Sequence, residues 1–112
     1  MKPLVEPVGK ALGHLQQATM WFMQNAMAKP DNAGAGATDY MHLFGLVVLG
    51  YMWCRIAAAA RGKSAADTSG RMDAKLVTAR FFMERMLPET AAHLARIQSG
   101  AESVMELPAE AF

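Results

Sequence analysis

The sequence predicts an all-α protein, an antiparallel helical bundle of three long helices with the third bent at Pro88 and a short C-terminal tail. Three observations predict it. Alanine occurs 21 times and leucine and methionine ten times each, against six valines and two isoleucines. These are helix formers, and the β-branched stock that a sheet needs is nearly absent. Apolar residues recur every three or four positions along three separate stretches, and 112 residues suffice for one compact domain over 1–112 and not for two.

The first helix is expected over about 3–28. Leu4, Val8, Ala11 or Leu12, Leu15, Ala18 or Thr19, Phe22 and Ala26 form its apolar face, while Lys10, Gln17 and Gln24 mark the wetter one. The run from Lys29 through Pro30, Asn32, Gly34 and Gly36 reads as a surface loop of about ten residues, because proline lacks a donor and glycine loosens the backbone.

Thr38 or Asp39 is then the expected cap of the second helix, over about 39–61. Tyr40 to Ala60 holds one histidine, one arginine and no acid, and its 21 residues are long enough for a ~30 Å membrane core. Arg55 would cost ~2.5–3.5 kcal/mol near a bilayer centre, and Ala57–Ala60 compensate little. The expectation is therefore no membrane span but the central helix of a bundle, with Gly45 and Gly50 allowing close approach of its neighbours.

Gly62–Gly70 is small and polar and reads as the second loop. The third helix, expected over about 71–99, has the cleanest period in the chain: Met72, Leu76, Ala79, Met83, Met86, Thr90, Leu94 and Ile97. That phase survives Pro88, which predicts one long bent helix rather than two. Gly100 stops it. The tail, 100–112, carries Glu102, Glu106 and Glu110 and no basic residue.

Eleven basic and ten acidic residues give a net charge of +1. That balance supplies no field for a phosphate backbone or anionic lipid, so nucleic acid is not an expected partner. The lone Cys54 excludes an internal disulfide and suits a reducing compartment. The opening residues show no charged segment leading into an apolar run and a cleavage site. The expected location is cytoplasmic. Counting glycine and leaving out tyrosine, apolar residues make up 66 of 112, more than the usual ~45–50%. A domain this small buries only ~65% of its unfolded surface, so an exposed patch that needs a partner is expected.

The search for chemistry assigns no catalytic, cofactor-binding or metal-ligating residue. His14, His42 and His93 each stand alone, without a second ligand at helical spacing, and read as structural or surface histidines. Cys54 has only Arg55 beside it and reads as a buried, inert thiol. Glu84 and Glu89 diverge by ~140° around a helix and read as solvated. Seven basic against three acidic residues between Arg55 and Arg85 could meet an anion, but spread over two helices and a loop. Met20, Met23 and Met27, with Met83 and Met86 on the seam, read as core filler or partner interface rather than a ligand pocket.

The order of several segments is itself informative. Tyr40-Met41-His42-Leu43-Phe44-Gly45, Gly50-Tyr51-Met52-Trp53-Cys54-Arg55, the Ala57–Ala60 run and Asp73–Phe82 are four of them; Leu87-Pro88-Glu89 and the ending Gly100–Met105, Leu107-Pro108 and Ala111-Phe112 complete the set. In this combination, over about two-thirds of the chain, the sequence resembles the C-terminal helical domain of the larger bacterial acyl-CoA dehydrogenases, an acetyl-CoA dehydrogenase C-terminal-like domain. The resemblance implies a flavoprotein parent acting in fatty acid metabolism. In that family a glutamate removes the α-proton of an acyl-CoA, FAD accepts hydride from the β-carbon, and electrons pass to an electron-transfer flavoprotein. The subgroup's Tyr-Glu-Gly-Thr stretch with the catalytic glutamate is absent here, as is the flavin-binding body. The resemblance therefore implies a non-catalytic role, with no cofactor in this chain and FAD in the parent. The implied partner is the catalytic body in cis. The alternative is a free-standing interaction protein, a homo-oligomer that hides its apolar surface by dimerising through the seam of the third helix.

Overall fold

The computed structural model describes residues 1–112 and is all-helical: 84% of the chain is helix and there is no strand. The order is α1 (Lys2–Asn25), α2 (Pro30–Lys63), a 3-10 turn (Ser64–Ala66), α3 (Arg71–Phe81), a π-helical segment (Phe82–Met86), α4 (Glu89–Gln98), a short α5 (Glu102–Met105) and a final 3-10 turn (Ala109–Ala111).

The second helix begins nine residues earlier than the sequence reading places it. Pro30 opens α2 instead of ending α1 in a loop, because the first turn of a helix has no use for the missing N–H. Gly36 lies inside α2 for a packing reason: a Cβ there would come within 2.8 Å of the Phe22 ring. Asn32 ties three segments together. Its Nδ2 donates to the Asn25 carbonyl and its Oδ1 accepts from the Ala101 amide. Thr38 and Asp39 consequently sit inside the helix and cap nothing.

Contacts fix which parts of the helices meet. Phe22, late in α1, packs on Gly36, early in α2, while Val8 meets Gly50 further along α2. The Cys54 thiol donates to the Leu4 carbonyl at 3.6 Å. A side chain at Gly50 would press on Val8 and Leu87 together, so this glycine admits both neighbours. Gly45 does not have that role; it faces open space.

The third stretch is divided. Leu87 N–H donates to Phe82 O, five residues back, which adds one residue to the turn before Pro88. That residue shifts the phase locally, at Met86 and Leu87. Met83 is buried as the period predicts, but the next buried position is Leu87, and Met86 turns outward. Thr90, Leu94 and Ile97 then continue the seam in α4. Gly100 ends α4 in the left-handed region at φ 73°, and Gly70 precedes α3 at φ 78°.

Large buried side chains gather where α1, the first half of α2 and α4 meet: Leu43, Val47, Leu87, Leu94 and Ile97, with Phe22 against them. Beyond them the end of α2 and α3 form a two-helix arm, buried only at Ala57, Ala60 and Ala79. The molecule measures 65 × 29 × 15 Å, with a radius of gyration of 18.5 Å. A compact chain of this length would have about 13 Å. Only 17 of 112 residues are buried.

Candidate functional site

Two polar clusters and two uncovered apolar faces are the features that could act on something outside the chain. The first cluster joins α2 to α4. Asp39 is the only acid between Asn32 and Asp67, and it turns inward from the apolar helix. His93 Nδ1 lies 2.8 Å from its Oδ1, and Arg96 Nη1 donates to the same oxygen at 3.3 Å. Glu89 approaches the other ring nitrogen of His93 at 3.4 Å, and the His42 ring stacks on His93 with centroids 5.6 Å apart. Burial alone would raise the Asp39 carboxyl, but the hydrogen bonds from His93 and Arg96 outweigh it and hold the group below its ordinary 3.8.

His42 and His93 therefore do not stand alone as their spacing suggests. They are brought together across 51 residues, a pairing that helical period within one segment cannot reveal. A lone acid in an apolar helix was the signal for Asp39. Its partner His93, like Arg96, had no signal in the sequence. The set joins α2 to α4; no three His, Cys, Asp or Glu side chains gather in a metal-binding arrangement.

The second cluster lies where α1 crosses α4. His14 Nδ1 is 2.9 Å from Thr90 Oγ1, and an open cleft of ≈ 510 Å³ is lined there by Glu6, Lys10, His14 and Thr90 over an apolar floor including Met83, Leu87 and Pro88. Burial lowers the His14 pKa from 6.5, and nearby Lys10 lowers it further. A flavin dinucleotide does not fit this donor set: its pyrophosphate needs several converging donors, and here a single lysine stands beside Glu6.

The other sequence candidates are dispersed. Cys54 is half-buried, and burial pushes its thiol up from 9.0, which disfavours the nucleophilic thiolate. Glu84 pairs with Arg80 at 3.0 Å while Glu89 turns to His93, so the two carboxylates serve different partners. Met20, Met23 and Met27 are exposed.

Met20 and Met23 belong to the first uncovered face, along α1, with Val5 and Leu12, and Met27 lies just beyond its end. The second face is the outer side of α2: Met41, Phe44, Val48, Tyr51 and Met52 share it, all between 43% and 62% exposed, and Arg55 is its only charge. Pro30–Ala66 is also the one stretch long and apolar enough, by length and composition, to cross a membrane, and only 28% of its apolar window is buried. Monomeric proteins seldom leave so much apolar surface in water.

No curated protein shows a significant match to the chain. The model of the family described as acetyl-CoA dehydrogenase C-terminal like matches residues 1–108, nearly the whole length and all of α1 to α5. The chain belongs to the acetyl-CoA dehydrogenase C-terminal-like family.

Proposed function

We propose that this chain is the non-catalytic C-terminal helical domain of a protein resembling an FAD-dependent acyl-CoA dehydrogenase, and that its role is structural. In this reading the catalytic body holds the flavin and carries out α,β-dehydrogenation of an acyl-CoA thioester in the cytoplasm. The domain packs on that body in cis and supports its subunit contacts. Its architecture is an antiparallel bundle of three long helices, the third bent at Pro88; the pairing of Phe22 with Gly36 and of Val8 with Gly50 supports the antiparallel run of the first two.

One observation carries the proposal. A family member this elongated, with 17 of 112 residues buried and apolar faces open on both α1 and α2, lacks the surface that would complete it. The Arg55 charge and the inward Asp39–His93 pair favour a protein surface over lipid, because each is costly inside a bilayer.

The test is an immunoblot of native cell extract with antibody against this chain, together with an acyl-CoA assay of the purified chain with added FAD. The expected result is a band several times larger than 12.1 kDa and no turnover by the chain alone. A band at that mass assigns an independent product, and acyl-CoA oxidation by the chain contradicts the non-catalytic role.

A further inference from the structure

We infer that the outer face of α2 is a self-association surface, on which a second copy of this chain lies antiparallel, with the two-fold axis at Val48. The second copy takes the outer α2 face, and the α1 face with Met20 and Met23 is the one left for the proposed catalytic body, so the inference does not rest on that reading.

The face is self-complementary in size. Reversing α2 about Val48 sets Gly34 opposite Gly62 and Ala37 opposite Ala59 of the second copy, so small residues meet at both ends. Near the centre Tyr51 meets Gly45, a large side chain over a gap, and Phe44 meets Met52. All of these positions are exposed, and nothing in the chain lies within 4 Å of a Cβ placed at Gly34, Gly45 or Gly62. An interface built on a two-fold axis requires such a reversible pattern.

The area is sufficient. Met41, Phe44, Val48, Tyr51 and Met52 together expose the equivalent of about two and a half whole side chains, or ~500 Å² at roughly 200 Å² each. Covering that on both copies removes ~1,000 Å², about the size at which a biological interface begins.

Charge selects the antiparallel direction. Between Arg55 and Phe81 six basic residues face two acidic ones, an excess of four positive charges on the arm. In 29–39 and 89–110 together, six acids face two bases, an excess of four negative charges. These two segments lie at the other end of α2, where Asn32 bonds Ala101 and Asp39 bonds His93. Two copies lying antiparallel set each basic arm beside the acidic end of the other. Parallel copies would set like charges together.

The experiment is sedimentation equilibrium on the 112-residue chain, and the expected mass is twice 12.1 kDa. Val48→Glu, which sets two carboxylates face to face on an exposed position, should return it to monomer with its helical circular dichroism unchanged. Raising salt from ~0.05 to ~0.5 M should weaken the dimer several-fold, since ion pairing at the ends is screened. In a Cys54→Ala background, Val48→Cys should cross-link to itself through a short bismaleimide, and Met23→Cys on the α1 face should not. A monomer at ~0.5 mM, well above the micromolar Kd at the weak end of specific interfaces, would overturn the inference. So would a dimer indifferent to Val48→Glu, one that tightens with salt, or one that cross-links through Met23→Cys alone. A monomer that floats with phosphatidylcholine vesicles would assign the face to lipid instead and overturn it equally.

Discussion

The two ends of this molecule are held by different physics. At one end, α1, the start of α2 and α4 converge on Leu43, Leu94 and Ile97, all buried, and lock their register with Asp39–His93 and His14–Thr90. At the other, the end of α2 and α3 meet through Ala57, Ala60 and Ala79, with α3's first turn fixed by Asp67, which accepts from Ser69 and the Met72 amide. Alanine contacts bring helices close but remove little area from water. The converged end is thus a small core with specific polar ties, whereas the arm borrows order from its neighbour. Amide exchange should reflect this, with α4 protected and α3 opening more readily.

The largest effect is expected from emptying the core. Leu43→Ala leaves a cavity among fully buried side chains and should cost about 2–5 kcal/mol in urea unfolding. Leu76→Ala in the half-buried arm should cost about 1 kcal/mol. Equal losses would abolish the distinction between the ends.

Next in size is the polar tie. Asp39→Asn removes charge-assisted bonds to His93 and Arg96 and should cost about 1.5–3 kcal/mol by the same measurement. Because the folded Asp39 pKa is lowered, its contribution is present above the unfolded value of 3.8 and is lost as pH falls through the folded value.

His14 adds a step at higher pH. Its folded pKa lies below 6.5, so the folded state disfavours its protonation. The stability tied to neutral His14 is present above 6.5 and is lost as pH falls from there through the folded value. Mild acid should therefore loosen the converged end first. Trp21 fluorescence in a Trp53→Phe variant reads that end, and a His14→Gln variant should lack the step.

Gly36→Ala should destabilise by about 1–2 kcal/mol, because the Phe22 ring must move, even with alanine's better helix propensity. Gly13→Ala, with open space around it, should stabilise by about 0.5–1 kcal/mol. The smallest effect belongs to Arg80→Ala, which breaks an exposed pair with Glu84 and should change stability by less than about 0.5 kcal/mol.

Much of this was legible in the sequence, and the remainder has identifiable reasons. The inward phase of the third stretch was readable at Ala79, Met83, Thr90, Leu94 and Ile97 because period reports which side faces in. The same period misplaced Met86, since one extra residue in a π turn leaves no compositional trace. Pro30 and Gly36 look like loop in the sequence because each has two uses: proline also opens helices, and glycine also admits a ring. The Asp39–His93 pair spans 54 residues, and a pattern within one helix says nothing of what lies across from it.

The proposed role as a helical layer packed on a catalytic body is tested most directly in the larger protein that the proposal expects to carry this segment. Deleting this segment and comparing melting, subunit assembly and acyl-CoA turnover separates a structural from a chemical role. A structural role predicts a lower melting temperature and weakened assembly, with the chemistry of any remaining folded enzyme intact. Unchanged melting and assembly after deletion, or loss of turnover from a fully folded and assembled enzyme, would contradict it.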